Sequence, residues 1–215
     1  MEHSLVFYTN PMSRGAIVRW MLEEVGRPYD EVVLAFGPSM KTAEYRAINP
    51  MGKVPAIVHG GRVVTEAAAI CLYLADVFRE AGLYPQEEEK ADYYRWTFFA
   101  AGPLEHAVTS RAMDWTVPSE RRGTVGFGSY ENTVDTLEGA LEGRDFICGG
   151  RFTAADVYVG SAVMWGMQFG TIPRRPAFEA YGERLSSRVA HGRARARDAG
   201  LIEEMKARDN AAGGT

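Results

Sequence analysis

Residues 48–70 read INPMGKVPAIVHGGRVVTEAAAI and contain the signals for two strands and a helix in direct succession. The apolar runs VPAIV and RVV flank Gly60-Gly61, and a Gly-Gly pair between such runs predicts a tight β-hairpin. Pro55 stands near the start of the first run, where a missing N–H donor is tolerated. After Glu66, apolar residues recur at the spacing of a helix that buries one face, at Ile70, Tyr73, Leu74, Val77 and Phe78.

Two features of this segment favour an extended, anionic ligand. A helix N-terminus presents unpaired N–H groups and the positive end of a dipole, so the helix after Glu66 suits an anion. Val54 precedes a proline, which holds it extended and leaves its backbone groups free to pair with an outside strand. Together they predict a site for a peptide-like, anionic ligand.

The chain before this segment predicts a βαβ unit. A strand over Leu5–Tyr8 leads to a helix with Ser13 as its N-cap, and Gly26 ends that helix. A second strand follows at Tyr29–Leu34, and a short helix is expected around residues 42–47. The full order is β-α-β-α-β-β-α, the pattern of a thioredoxin-like domain.

The pattern changes to an all-helical one in the second half, so the fold class is α/β plus all-α. We place the thioredoxin-like, ligand-binding domain at residues 1–80 and a linker containing Pro85 and several acidic residues at 81–89. An all-helical domain is expected at residues 90–205, followed by a polar tail at 206–215.

Several local signals mark the helical half. Gly102-Pro103 is expected to kink its first long helix, and a second helix is expected from residue 118 or 119 to about Leu141, weakened at Gly126 and Gly128. Thr153 and Asp156 have the spacing of a capping box at the start of an apolar helix. A basic run between Arg188 and Arg197 is expected to be a solvated helix face or tail.

Composition narrows the class of protein. The chain has 215 residues and a formal net charge of −4, which gives no general attraction to nucleic acid. No apolar run reaches the ~20 residues that span a bilayer, and no targeting signal is visible, so we expect a soluble cytoplasmic protein without a membrane partner. The four histidines lack ligand spacing, so no metal is expected. Cys71 is expected to be buried. Cys148 lies near a helix start, a position that can lower a thiol pKa, but no catalytic role is expected for it.

Asn49–Pro55 forms a complete N-P-x-G-x-V-P motif and is followed by Glu66-Ala67. This segment resembles the glutathione-binding half of the cytosolic glutathione S-transferase family, bacterial type, and the resemblance covers roughly residues 4–200. In that family the motif carries a cis proline, and a Glu-Ser pair holds the γ-glutamyl end of glutathione. Here Ala67 replaces the serine, so one hydroxyl contact is lost while its backbone N–H remains. The resemblance implies glutathione binding by Val54, Pro55, Glu66 and Ala67, with Lys53 near the glycine-end carboxylate.

Glutathione reacts as its thiolate, and a thiol of pKa about 8.5 is mostly protonated at neutral pH. A hydroxyl at the end of the first strand, near the next helix N-terminus, lowers that pKa by donating a hydrogen bond to the sulfur. Ser13 and Tyr8 are the candidates, because different classes of the family use a serine or a tyrosine, and Arg14 is a candidate for electrostatic support. The alternatives are that Ser13 is only a helix cap and that Tyr8 is only a packed strand residue.

The resemblance also implies an electrophile site along the first long helix of the helical domain. Aromatic residues at helical spacing are more often core than pocket, yet the candidates are Met12, Phe99, Arg111, Trp115 and Phe169. The implied protein is a homodimeric enzyme that conjugates glutathione, its co-substrate, to a small hydrophobic electrophile. The alternatives are another glutathione-dependent enzyme (isomerase, dehalogenase or peroxidase) and a non-catalytic binding protein of the same fold.

Overall fold

The computed structural model describes residues 4–213. By its contacts the chain divides into two compact units, one made of the chain up to Ala81 together with the segment from Arg188 onward, the other of Gly82–Ser187. This division differs from the expected domains 1–80 and 90–205 in the last helix. The last helix belongs to the first unit because residues near its start form ion pairs with Glu23 and Glu24, early in the chain.

The first unit contains a four-stranded sheet in the order β2-β1-β3-β4. Strand β1 is parallel to β2 and antiparallel to β3, and β4 is antiparallel to β3. The strands are β1 Leu5–Thr9, β2 Asp30–Val33, β3 Ala56–His59 and β4 Arg62–Thr65. Gly60 and Gly61 join β3 to β4 with φ values of 55° and 79°, so the predicted two-residue hairpin is confirmed.

The α-helices of the described residues follow in chain order. They are α1 Gly15–Val25, α2 Ala43–Ile48, α3 Ala67–Val77, α4 Lys90–Phe99, α5 Glu105–Ala112, α6 Tyr130–Leu141, α7 Ala154–Phe169, α8 Pro176–Ser186 and α9 Val189–Gly213. The order β1-α1-β2-α2-β3-β4-α3 confirms the predicted thioredoxin-like domain, and α4 to α8 confirm the helical half. Of the helices described, none combines the length and apolar character that crossing a membrane requires.

The alternation of side chains along β1 separates the two faces of the sheet. Leu5 and Phe7 are buried on the face covered by α1 and α3, which also pack against each other. Tyr8 points to the opposite face, where its ring lies 5.6 Å from that of Tyr45 on α2. Core packing therefore fixes the register of β1 and leaves its C-terminal end to carry the loop into α1.

Helix α9 is attached to the first unit by ion pairs and one aromatic contact. Arg188 binds Glu24 at 2.6 Å and Arg193 binds Glu23 at 3.0 Å. The ring of His191 lies edge-on to Trp20 at 4.8 Å. Arg193, Arg195 and Arg197 are exposed, as expected of a solvated helix face. The ion pairs were not expected, because the acidic partners of Arg188 and Arg193 lie more than 160 positions earlier in the chain.

The second unit departs from the predicted helices in one place. The expected distortion at Gly102-Pro103 is confirmed by a π-helical turn at Ala100–Leu104, between α4 and α5. The predicted helix from residue 118 or 119 starts too early, because α6 begins only at Tyr130, just after the weak point expected at Gly126 and Gly128. Ser129 caps it by accepting the N–H of Asn132 at 3.2 Å, and Gly128 before it has φ 63°.

The capping box at the start of α7 is confirmed. Asp156 accepts the N–H of Thr153 at 2.8 Å, and it also accepts the N–H of Ile147 at 2.7 Å and the hydroxyl of Tyr181 at 2.8 Å. Asp156 is fully buried. Its carboxylate ties α7, α8 and the preceding loop together, which is the role of a folding element.

Candidate functional site

Three segments of the first unit meet at one end of the sheet. The pairing of Tyr8 with Ala56 and of Ala56 with Thr65 places the end of β1, the start of β3 and the end of β4 side by side. Helices α1 and α3 both begin just beyond this edge. Their N-termini therefore lie at the edge to which the Val54-Pro55 segment also leads, which suits an anionic ligand.

The loop from β1 to α1 is fixed by Asn10, which is completely buried. Its side chain donates to the carbonyl of Leu34 at 2.8 Å and accepts the N–H of Met12 at 2.9 Å. These two bonds tie the loop to the end of β2 and set its turn. Sequence reasoning did not identify this tether, because its partner is 24 positions away.

Ser13 lies at the end of this loop. Its hydroxyl donates to the carbonyl of Asn10 at 2.7 Å and accepts the N–H of Gly15 at 2.9 Å. The N-cap position of α1 is Arg14, not Ser13 as predicted, although Ser13 does satisfy one N–H of the first turn. The hydroxyl proton of Ser13 therefore has a protein acceptor in this conformation.

The loop from β1 to α1 forms one wall of the site, and the segment before β3 forms the opposite wall. The Val54-Pro55 peptide bond is cis, as the resemblance implies. Pro55 is buried, Val54 is half-buried and Lys53 is exposed. Among the described residues, the N–H of Val54 has no hydrogen-bond partner.

A cavity of about 420 Å³ lies between these two walls. It brings together five of the predicted site residues, namely Met12, Ser13, Arg14, Lys53 and Val54. Its remaining lining comes from residues that the sequence did not single out, namely Phe36, Gly37, Met40, Lys41 and Gly52. Its volume is in the range of small-molecule sites.

Lys41 is the charged residue of the cavity that sequence reasoning missed. Its ammonium group donates to the carbonyls of Met51 at 3.1 Å and Gly52 at 2.9 Å. It stands in the connection before α2, twelve positions before Lys53, and only the fold brings the two lysines to one cavity. No local sequence signal distinguishes Lys41 from an ordinary surface lysine.

Glu66 and Ala67 lie at the junction of β4 and α3. Glu66 is exposed and has φ 66°, a region that residues with a side chain rarely adopt. Ala67 is buried, and α3 begins there. Within the described residues, the N–H groups of Ala67 to Ala69 have no hydrogen-bond partner, as at an open helix N-terminus.

Tyr8 does not line the cavity. It is half-buried, and its ring packs against Tyr45. This contact agrees with the alternative that Tyr8 is a packed strand residue.

The other four electrophile candidates lie in the second unit. Phe99 ends α4 and packs edge-on against Trp96 at 5.4 Å. The guanidinium of Arg111 lies 4.2 Å from the centre of the Tyr130 ring. Trp115 and Phe169 are 66% and 70% exposed, which is unusual for large aromatic side chains.

Neither cysteine has the environment of a reactive thiol. Burial raises the pKa of Cys148 to about 12, with Asp156 adding to the effect, so its place near a helix start does not lower that pKa. Burial also raises the pKa of Cys71. Within residues 4–213, His, Cys, Asp and Glu side chains form no cluster arranged to hold a metal ion.

Comparison with known proteins adds a family to this geometry. Residues 13–77 match the family model for the glutathione S-transferase N-terminal domain, and residues 98–165 match that for the C-terminal domain. Glutathione S-transferase A of Pleuronectes platessa is 31% identical over 180 residues, which cover 78% of this chain and 80% of that protein.

Two solved glutathione transferases also match the fold over most of this chain. A glutathione transferase from Methylococcus capsulatus has a TM-score of 0.74 and 26% identity, and the match covers 91% of this chain and 98% of that one. The theta class glutathione S-transferase of Xanthomonas axonopodis pv. citri, solved with glutathione bound, has a TM-score of 0.70 and 27% identity, covering 90% and 97%.

Proposed function

Since this chain belongs to the glutathione S-transferase family, we propose that it activates the thiol of glutathione and conjugates it to a small hydrophobic electrophile. The observation that carries the proposal is the cavity in which Ser13 and Arg14 face the Lys53-Val54 segment. A hydroxyl, cationic side chains and an unpaired backbone N–H there match the thiol, carboxylate and peptide groups of glutathione.

Glutathione binding would use the backbone of the first unit. The free N–H of Val54 suits the peptide carbonyl of the ligand, in the manner of an added strand. The open N-terminus of α3, with Glu66 and Ala67, suits the α-carboxylate and amine of the γ-glutamyl end. Lys53, together with Lys41, would meet the glycine-end carboxylate.

Thiol activation would rest on Ser13. Lowering the thiol pKa by ~2 units requires about 2.7 kcal/mol, and one charge-assisted hydrogen bond supplies about 1.5–3 kcal/mol. The Ser13 hydroxyl must turn from the Asn10 carbonyl to the sulfur, and that carbonyl keeps the N–H of Ser13 as a partner. Arg14 and the N-terminus of α1 would add a favourable field.

The second substrate and the assembly complete the proposal. We infer that Met12 contacts the electrophile and that Phe99, Arg111, Trp115 and Phe169 contribute from the helical half.

The family also supports a cytoplasmic homodimer with residues 1–80 as the glutathione-binding domain, and light scattering would test the dimer. A glutathione-dependent isomerase, dehalogenase or peroxidase would use the same first unit.

One observation favours a non-catalytic binding protein as the second candidate. Ala67 stands where the resemblance implies a serine, so one side-chain contact to the γ-glutamyl end is missing. A binding protein tolerates a shifted ligand better than an enzyme that must place the sulfur within hydrogen-bond reach of Ser13.

An ultraviolet difference titration of glutathione with the protein across pH separates these candidates. Thiolate absorbance that appears well below the pKa of free glutathione supports a transferase. Saturable glutathione binding without thiolate absorbance would instead leave a binding protein, and the catalytic role of Ser13 would be withdrawn.

A further inference from the structure

The carbonyl of Lys53 is held by two side chains of the α2 region. The hydroxyl of Tyr45 donates to it at 2.6 Å, and the side-chain amide of Asn49 donates at 2.7 Å. Both residues are buried, with exposed fractions of 4% for Tyr45 and 5% for Asn49. Two donors on one carbonyl, both shielded from water, fix the direction of that C=O bond.

Tyr45 is a permanent donor in this arrangement. Burial raises the pKa of its hydroxyl to about 12, and the nearby Tyr8 adds to the effect. Its ring is fixed by the contact with Tyr8, and its backbone lies in the first turn of α2, where Thr42 caps the N–H of Tyr45 at 3.3 Å. The hydroxyl therefore stays protonated and in place across the working pH range of most enzymes.

Fixing this carbonyl also fixes the next N–H. The Lys53-Val54 peptide bond is trans, since Val54-Pro55 is the cis bond of the segment. In a planar trans peptide the C=O and N–H bonds point in opposite directions. Because the Lys53 carbonyl points to Tyr45 and Asn49, the N–H of Val54 points away from α2.

We propose that Tyr45 is a positioning residue for ligand binding, which orients the Val54 N–H toward a peptide-like ligand by holding the Lys53 carbonyl. The inference rests on the proposed function, in which Val54 binds the backbone of glutathione. Tyr45 acts through the peptide plane and does not touch the ligand.

The attachment of this segment does not depend on Tyr45. Lys41 binds the carbonyls of Met51 and Gly52, and the side-chain oxygen of Asn49 accepts the N–H of Met51 at 3.1 Å. Removing the Tyr45 hydroxyl leaves these bonds, and Asn49 still satisfies the Lys53 carbonyl. Tyr45→Phe therefore isolates the orientation of the peptide plane from the fold of the segment.

The test compares Tyr45→Phe with Tyr73→Phe in the full chain. Tyr73 is a matched control, since its hydroxyl bonds the Nδ1 of His59 at 2.9 Å within the same unit. For Tyr45→Phe we expect the Kd of glutathione to rise about five- to tenfold. Without the Tyr45 hydroxyl the Val54 N–H is less well directed, and the expected rise corresponds to about one hydrogen bond between that N–H and the ligand. The pKa of the bound thiol and kcat at saturating glutathione should stay within about twofold of the wild-type values, because Ser13 is untouched.

The outcomes separate this inference from the proposed function. A Kd that stays within about twofold in Tyr45→Phe, while the wild type binds and ionises glutathione, overturns the positioning role alone. Equal losses in Tyr45→Phe and Tyr73→Phe, with matching falls in kcat and in the urea midpoint, also overturn it, because they indicate general destabilisation. A wild-type chain that binds no glutathione overturns both.

Discussion

At the scale of single residues, the role proposed for the Ser13 hydroxyl in thiol activation gives the first prediction. We expect Ser13→Ala to lower kcat/KM for conjugation about 10- to 100-fold, since a charge-assisted hydrogen bond to the thiolate contributes about 1.5–3 kcal/mol. The pKa of bound glutathione should rise by a corresponding amount. Both are measured by steady-state kinetics and by thiolate absorbance over pH.

Two variants control for this prediction. Ser13→Thr keeps a hydroxyl and should retain most of the activity, which separates the hydrogen bond to sulfur from the loop contacts of Ser13. Tyr8→Phe should change kcat/KM by less than about threefold, a difference below ~1 kcal/mol, because the Tyr8 ring packs against Tyr45 outside the cavity. A large loss in Tyr8→Phe with little change in Ser13→Ala would transfer the catalytic role to Tyr8.

The residues missed by sequence reasoning share one physical cause. Val54 and Pro55 were identifiable because a proline restricts its own backbone and that of its neighbour. Lys41 and Tyr45 act through carbonyls 8 to 11 positions away, after the chain has turned through α2. Nothing in their local sequence differs from a surface lysine or a core tyrosine, so only the folded chain reveals their partners.

At the scale of elements, the capping box of α7 gives a prediction about pH. Burial raises the pKa of Asp156 to about 6, above the ordinary value near 3.9 that it has in the unfolded chain. Between about pH 4 and pH 6, Asp156 keeps its proton in the folded protein but loses it in the unfolded chain. The contribution of Asp156 to stability is therefore full below about pH 4. That contribution is lost as pH rises through about 6.

Comparison with Asp156→Asn isolates this effect, because asparagine does not titrate. The free energy of unfolding of the wild type minus that of the variant should fall by about 2 kcal/mol between pH 4 and pH 7. Urea unfolding at a series of pH values measures the difference. A difference that is constant or that grows with pH would show that the hydrogen bonds donated to the carboxylate, including one from the Thr153 hydroxyl, outweigh its burial.

The elements themselves were largely predictable, for local reasons. The hairpin, the helix after Glu66 and the α7 cap each follow from turn residues, apolar spacing or capping chemistry within a few positions. The start of α6 was placed too early because Ser119–Thr124 form a separate 3₁₀ helix, and Gly128 with the Ser129 cap sets the boundary at Tyr130. Boundaries depend on such caps more than on the apolar pattern.

At the scale of the whole chain, the first unit is closed by a helix from the other end of the sequence. Arg19 of α1 is fully buried, and it binds Asp198 of α9 at 2.6 Å and Glu31 of β2 at 2.8 Å. The partners Arg19 and Asp198 are 179 positions apart, so no local pattern could have predicted the pair. The same contact explains why the last helix belongs with the sheet.

This buried pair gives a prediction about the stability of the first unit. Asp198→Ala should lower the free energy of unfolding by about 2–4 kcal/mol, because it leaves the Arg19 charge buried with only part of its compensation. Arg193→Ala is the matched control, since it breaks an exposed pair of the same helix and should change stability by less than about 1 kcal/mol. Urea unfolding followed by circular dichroism measures both. Equal effects of the two variants would mean that α9 is held by its surface charges and not by the buried contact at Arg19.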